Sequence, residues 1–248
     1  MPTPVDDNRR PPAYLYRHRL YRRVLSLLDA TRFLDVGAGR GALAAWLAGR
    51  GGRGVALEPS PYAAKALRAA LGSVSNVDVV EADLSSYRPD GVFSLITMME
   101  ILEHVEDDGE MMRRAAGMLA PGGRLVVSVP AHARMWGWRD EEKGHRRRYE
   151  RGDLTKLFGD CDLTVETVFS WGWPFINFFR FVGRGRRAER RDIREATALS
   201  AVKQDVGVGP SWLLSPFVTA IPFRLMDVFL RTDWGVGYVA AGRKGPPA

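Results

Sequence analysis

Cysteine is almost missing from this chain of 248 residues, with Cys161 standing alone. That excludes an internal disulfide and a cysteine-rich metal site. Histidine is scarce as well. The four are His18, His104, His132 and His145, so any imidazole chemistry must draw on them. Lysine is the rarer cation: five of the 36 basic residues are Lys65, Lys143, Lys156, Lys203 and Lys244, and the rest are arginine. No run of about 18 uncharged apolar residues is present. The nearest approach, Trp212 to Leu230, is broken by Pro216, Pro222, Arg224 and Asp227. The first ten residues are polar and lack the apolar stretch of a secretory signal. No internal repeat is visible. These absences make a soluble chain in a reducing, cytoplasmic compartment the expectation.

What remains is ordinary globular composition, 46% hydrophobic and 26% charged. Such a chain can bury a large core within one domain carrying an insertion. The net charge is +7. Much of the basic excess lies in residues 14–23 and 134–194, so it describes an acceptor or surface preference.

Strands and helices alternate along the first half. Tyr14 to Leu28 has apolar residues at helical spacing with arginines between them, which predicts a basic amphipathic helix. Short strands are predicted at 32–36, 55–57, 77–81, 92–97 and 124–129. Helices are predicted at 42–48, 61–71 and 108–119, with further helix from Glu100 onward and a turn at Pro121-Gly122-Gly123. This alternation calls for a mostly parallel sheet with helices on both faces. Ala131 to Arg151 reads as a polar loop over the site, 152–158 as a helix and 163–169 as a strand. Trp171 to Phe181 is aromatic, Gly183 to Arg194 strongly basic, Trp212 to Leu230 a proline-broken helix and 237–243 a final strand. The expected division is an arm and basic helix at 1–30, a cofactor-binding core at 31–130, and acceptor-site loops, an insertion and closing strands of the same domain at 131–248.

Gly37-Ala38-Gly39-Arg40-Gly41 follows a strand and opens a helix. Glycines allow a tight turn and close approach of a ligand, and the helix start adds unpaired N–H groups and a positive dipole end. Asp35 precedes the loop. Glu58 ends the second strand, where an acid can accept both hydroxyls of a ribose. Asp83 ends the third and could accept from an adenine amino group. The loop alone leaves a nicotinamide-dependent oxidoreductase open, with Ala42 at its third glycine position.

The stretches FLDVGAGRGALAAWLA, LEPS, EADL, FSLITMMEILEHVED and MLAPGGRLVVSVP occur in that order. Together, over residues 32–130, they resemble the class I S-adenosylmethionine-dependent methyltransferases. The resemblance implies a Rossmann-like seven-stranded sheet whose last strand is antiparallel, with an inserted helical and aromatic segment before that strand. It implies that Asp35, Gly37, Ala38 and Gly39 lie around the methionine part of the cofactor. Glu58 with Pro59 would hold the ribose, and Asp83 with Leu84 would border the adenine. Ser94 departs from the family, whose members often carry Asp there.

If the stretch from Glu100 is helical, Glu100, Glu103 and His104 share one face at i, i+3, i+4. Two carboxylates and an imidazole suit Mg²⁺, Mn²⁺ or Zn²⁺, and a fourth ligand could come from the loop around His145. The segment resembles ubiquinone-pathway O-methyltransferases through Met-Glu-x-x-Glu-His, and small-RNA terminal 2′-O-methyltransferases through Glu-x-x-Glu-His with a downstream histidine. Carried over, that gives Glu100, Glu103, His104 and His145 as ligands of a divalent cation, Met99 on the cofactor, and Arg17 at the cofactor carboxylate. Metal-free methyltransferases also carry Glu-His here, with the histidine packing, capping or acting as a base. Either way His104 and His145 are the catalytic candidates: a histidine base, or a metal, would activate an acceptor hydroxyl.

The second half bears on the acceptor. Asp140 to Leu154 resembles a stretch in bacterial methyltransferases of glycolipid, sugar and natural-product pathways. Arg146, Arg147 and Arg148 would either meet an acidic acceptor or form a solvated face with internal ion pairs. Trp136, Trp138, Trp171, Trp173, Phe175, Phe178 and Phe179 would line a greasy pocket, face a membrane or fill a core. The arginines of 184–194, beside this apolar stretch, suit peripheral contact with an anionic membrane surface. They lack the aromatic interleaving of a nucleic-acid platform. The expectation is therefore an O-methyltransferase of a small-molecule, sugar-like or lipid-linked hydroxyl. The alternatives are an RNA terminal 2′-O-methyltransferase and a non-catalytic S-adenosylmethionine-binding regulator. The oligomeric state is not assigned.

Overall fold

The computed structural model describes residues 11–182 and 216–246. Helix α1 is Pro12–Leu25, β1 is Arg32–Val36, α2 is Ala42–Ala48, β2 is Arg53–Leu57, α3 is Pro61–Leu71 and β3 is Val77–Val80. Then follow β4 (Phe93–Met99), a short 3-10 turn at Leu102–His104, α4 (Asp108–Gly117) and β5 (Leu119–Pro130). The second half holds a 3-10 turn at Ala133–Met135, α5 (Trp138–Glu142), α6 (Arg151–Gly159), β6 (Leu163–Trp171), α7 (Phe175–Val182), α8 (Pro216–Val228) and β7 (Gly237–Lys244).

The strands form one seven-stranded sheet in the order β3-β2-β1-β4-β5-β7-β6. β1 to β5 pair in parallel, and β7 runs antiparallel to both β5 and β6. The last strand of the chain is thus the reversed one, as the sequence predicts. Strand order changes direction between β1 and β4, which opens a crevice at the C-terminal ends of those strands.

Alternate residues of each strand feed two cores, as the strand period requires. On one face Phe33, Ala56, Leu95 and Val126 pack against α1, α2 and α3, through Leu20, Leu47 and Leu67 among others. On the other, Leu34, Ile96, Leu125 and Val127 pack against α4 and α6, through Met112 and Phe158. Helix α8 joins the first core through Phe223 and Met226. It is also tied to α1, where Tyr16 donates to Asp227 at 2.9 Å and Arg19 pairs with the same carboxylate.

The structure corrects several expected boundaries. The Pro121-Gly122-Gly123 turn lies inside β5, where Gly122 has φ +75° and the pairing with β4 shifts register between Phe93 and Leu95. Helix α1 starts at Pro12, a favourable first helical position. Ala131–Arg151, read as a loop, contains the 3-10 turn and α5, and Ala131 bridges Tyr149. Of the proline-broken helix expected from Trp212 to Leu230, residues 212–215 lie outside the described residues, and the described part is a helix, Pro216–Val228, that continues through Pro222. The stretch 183–194 lies outside the described residues.

Candidate active site

The glycine turn sits at the crevice. Gly37, Gly39 and Gly41 have φ of +65°, +55° and +73°, a backbone region that side chains disfavour. A methyl group at position 37 would stand 2.2 Å from Ile101 Cδ1. The turn is held from the next strand, because Gly39 N–H donates to Glu58 Oε2 at 3.1 Å. Glu58 Oε1 accepts from Ser60 N at 3.2 Å, at the start of α3.

The turn, the end of β4 and one face of α1 enclose a cavity of about 640 Å³. Arg17, Asp35, Gly37, Ala38, Gly39, Glu58, Pro59, Asp83, Leu84 and Met99 all line it. Every residue assigned to the cofactor from sequence therefore borders one space. Glu100, His104 and Lys143 line it too. Tyr14, His18 and Tyr21 join them on the inner face of α1. Sequence reasoning missed these three, although their spacing from Arg17 puts them on one helical face.

Asp35 lies beneath the turn and is only 3% exposed. Burial pushes its pKa up to about 7, against a hydrogen bond from Thr97 Oγ1 at 2.7 Å and the backbone of Ala44. Asp83 uses Oδ1 to accept from Ser85 N at 2.7 Å, so part of its acceptor capacity is spent on its own turn.

Glu100 departs from expectation. It is not in a helix: β4 runs through Met99, Glu100 takes φ +60°, and the 3-10 turn begins only at Leu102. The anticipated i, i+3, i+4 face does not form. Instead Glu100 Oε2 pairs with Arg17 Nη1 at 2.5 Å and Oε1 accepts from Ser128 Oγ at 2.7 Å. Ser128 Oγ in turn accepts from Tyr21 O–H at 2.8 Å. Burial opposes ionisation of Glu100, but Arg17 and Ser128 together hold its pKa below the usual carboxylate range. Arg17 lies 5.7 Å from the Trp171 ring centroid, and its Nε is buried without a hydrogen-bond partner.

Glu103, His104 and His145 do converge. Each brings one ligand atom, and these lie within 4.8 Å of one another. Glu103 is 0% exposed and neither carboxylate oxygen has a hydrogen-bond partner. Burial, then the neighbouring Glu100, pushes its pKa well above the usual range. His104 and His145 rings meet edge to face at 4.9 Å. His145 Nδ1 lies 2.9 Å from Asp140 Oδ1, and Asp140 accepts two bonds from Arg148 at 2.9 Å each. Asp140 thereby fixes the His145 ring, leaving Nε2 facing Glu103 at 3.9 Å. Burial lowers the pKa of His145 to about 4, and also lowers that of His104, so both rings are neutral at neutral pH. Of these three residues, His104 is the one on the cavity wall; Glu103 and His145 sit behind it.

The arginine run resolves in part as internal pairing. Arg147 bonds Asp108 at 3.0 Å and Arg148 is buried on Asp140. His132, the remaining histidine of the second half, stands apart from the cavity, with Nδ1 2.9 Å from Glu150 Oε2. The aromatic residues divide. Trp171 is in the core and Phe175 packs against it, whereas Trp136, Trp138, Trp173 and Phe178 are exposed. The side chain of Phe179 lies outside the described residues.

Comparison with known proteins agrees with this layout. A family model described as a methyltransferase domain matches residues 8–168, more than half of the chain. A protein named ubiquinone biosynthesis O-methyltransferase from Bradyrhizobium sp. (strain ORS 278) is 36% identical over 107 residues, 42% of this chain and 42% of its own. The chain thus spans less than half the length of the curated relatives it matches. The N-methyltransferase NodS from Bradyrhizobium japonicum WM9 superposes with TM-score 0.57 over 95% of this chain and 97% of its own, at 18% identity. A second NodS structure holds S-adenosyl-L-homocysteine. The [4+2]-cyclase SpnF superposes with TM-score 0.58 over 92% of this chain and 81% of its own, at 20% identity. With a glycine turn held by a strand-end acid and a methyltransferase-domain model matched over residues 8–168, the chain belongs to the S-adenosylmethionine-dependent methyltransferase family.

Proposed function

We propose that the chain transfers the methyl group of S-adenosylmethionine to a hydroxyl oxygen of a small-molecule, sugar-like or lipid-linked acceptor, of the kind found in natural-product pathways. The observation that carries this reading is the position of His104 on the cavity wall, backed by buried Glu103 and by His145 pinned on Asp140. Attack by a hydroxyl requires loss of its proton, and a neutral imidazole can accept it. The curated relatives' own name, an O-methyltransferase, supports oxygen as the acceptor atom.

The residues present fit the cofactor. The left-handed glycine turn lets a ligand reach the backbone, Glu58 offers carboxylate oxygens, and buried Asp35 can face a cationic amino acid end. Arg17, held by Glu100, stands ready for a carboxylate. When bound, S-adenosylmethionine supplies a methyl group already activated by its sulfonium. The chain's own part is alignment of the two reactants, which converts a bimolecular step into a local one. His104 takes the acceptor proton on a ring nitrogen, and Asp140 with Arg148 keeps the neighbouring His145 ring from turning.

A second reading rests on Glu103. A fully buried carboxylate with two unpartnered oxygens is either protonated or bound to a cation. With His104 and His145 it forms a carboxylate–imidazole set suited to Mg²⁺, Mn²⁺ or Zn²⁺, and Asp140 supplies the outer carboxylate that ligand histidines usually have. Such an ion would lower the pKa of a coordinated hydroxyl. Glu100, bonded to Arg17 and Ser128, is not part of this set.

The test measures S-adenosylhomocysteine release with a panel of phenols, glycosides, lipid-linked alcohols and short RNA bearing a terminal diol. Turnover on a hydroxyl acceptor, lost in His104→Ala, is expected. Turnover on RNA alone would replace the acceptor class. Binding of the cofactor with no turnover on any acceptor would point to a regulator. Retained turnover after EDTA, with no heat on titrating Mg²⁺, Mn²⁺ or Zn²⁺, removes the metal reading and leaves the histidine base.

A further inference from the structure

We propose that the outer face of α8 and the adjoining face of α1 form a docking surface for an anionic lipid bilayer. The inference is independent of which acceptor is methylated.

Helix α8 is buried on one side and, among the described residues, exposed on the other. Phe223, Met226 and Leu230 pack into the core. Ile221, Leu225 and Val228, at i, i+4 and i+7, form an apolar ridge that is 69%, 48% and 74% exposed. Water-facing ridges of this kind are unusual on an isolated soluble chain and mark a contact surface. Beyond the end of α8, Trp234 is also exposed. It packs against Phe229 at 6.0 Å and against Trp173, at the entry to α7, at 5.9 Å between centroids. Exposed indole groups beside an apolar ridge suit the headgroup region, where their apolar body and polar N–H are both satisfied.

Charge selects the occupant. Arg224 lies one turn before Val228 and Arg231 follows three residues after it, both exposed. On α1, Arg19, Arg22 and Arg23 are exposed. The acid between the two helices, Asp227, is already bonded by Tyr16, Arg19 and Arg23. Arg224 and Arg231 thus share the helix end with the ridge, Arg19 and Arg23 gather on Asp227 where α1 meets α8, and the other acid of this stretch, Asp233, is paired with Arg151. A protein partner or a second copy would require matching acids or an apolar patch free of such charge. An anionic bilayer satisfies both features, since each basic residue near it contributes about 1 kcal/mol and the ridge enters the acyl boundary. The opposite face of α1 carries Tyr14, Arg17, His18 and Tyr21 to the cavity, so one helix connects the docking face to the site.

The full chain is sedimented with phosphatidylcholine vesicles and with vesicles holding about 30% phosphatidylglycerol, at low and at about 0.5 M salt. Binding to the anionic vesicles alone, weakened by salt, is expected. Ile221→Asp with Val228→Asp should reduce it tenfold or more while S-adenosylhomocysteine binding and the far-ultraviolet spectrum stay as in the parent. Arg224→Glu with Arg231→Glu should reduce it severalfold, and provides the reading if the ridge variant does not fold. Equal binding to neutral vesicles, or no binding, overturns the proposal. So does undiminished binding by the ridge variant, which would assign the affinity to arginines elsewhere. A dimer in light scattering that the ridge variant converts to monomer would replace the bilayer with a second copy.

Discussion

Replacing Asp35 with Asn offers a direct test of how the cofactor crevice is held together. Asp35 is almost completely buried, and burial pushes its pKa up to about 7 from an ordinary 3.8. The sign follows from linkage. Between these values the folded chain carries a proton on Asp35 that the unfolded chain has lost, so stability falls as pH rises and levels off above about pH 7. From about pH 5 to about pH 7 the cost is about 3 kcal/mol, at 1.36 kcal/mol per pH interval. Asn keeps an acceptor for Thr97 Oγ1 and carries no charge. The Asp35→Asn variant without ligand should therefore escape this loss. Its melting temperature relative to the parent should rise by about 5–10 °C between about pH 5 and about pH 8, since about 1 kcal/mol moves a chain of this size by 2–4 °C. Binding should move the other way. If the carboxylate faces a cationic ligand group, its removal costs about 1.5–3 kcal/mol, or about 10–100-fold in affinity. Fluorimetric melts across pH, with and without S-adenosylhomocysteine, read both quantities, and calorimetric titration gives the affinity. A melting difference that stays flat from acid to base would refute the buried-charge argument. An affinity equal to the parent's would remove Asp35 from the ligand contacts.

Other substitutions probe separate links. Gly37→Ala forces a methyl onto Ile101 at a left-handed φ, and should lower the unfolding free energy by about 1–3 kcal/mol and abolish cofactor binding in titration. Arg17→Met leaves the half-buried Glu100 without its cation; a loss of about 10–100-fold in cofactor affinity is expected, and unchanged affinity would detach Arg17 from the ligand. His104→Ala should reduce kcat by about 100-fold or more with little change in cofactor affinity. Asp140→Asn frees the His145 ring and strands Arg148, so kcat should fall about tenfold with KM for the acceptor nearly constant, alongside a loss of about 3 kcal/mol in stability.

Different features of the site were legible to different degrees, for physical reasons. The glycine turn was readable because glycine is the residue that most readily takes the left-handed backbone of Gly37, Gly39 and Gly41, and strand alternation placed Asp35 and Glu58 near the ends of β1 and β2 and Asp83 in the turn after β3. Their positions follow from local backbone geometry. That of Glu100 does not. Its spacing to Glu103 and His104 matches a helical face, yet β4 continues through Met99 and a positive φ turns the Glu100 side chain toward α1. Nothing in spacing reveals that, because the partner, Arg17, is 83 residues away. Internal pairing of the arginine run was one of the two sequence readings, but the burial of Arg148 with Asp140 was not legible, because a run of three arginines looks like a solvated face until one of them is found in the interior. His132 joined the same loop in sequence but lies on Glu150, away from the cavity.

The fold itself carries less about chemistry than the site does. NodS is named an N-methyltransferase and SpnF a [4+2]-cyclase, yet both superpose on this chain over most of its length. A shared sheet and crevice thus tell where a ligand sits and not what is done to its neighbour. What distinguishes this chain must lie in groups that face the reacting atoms. A neutral amine is nucleophilic enough to attack without giving up a proton in the transfer step itself. A hydroxyl is a weak nucleophile until its proton passes to a base. The cost of burying Glu103, of holding two neutral imidazoles together and of fixing one of them on an Arg148–Asp140 pair is hard to account for as packing alone. It is accounted for if the site must take a proton from oxygen, or coordinate it, at the moment the methyl group moves.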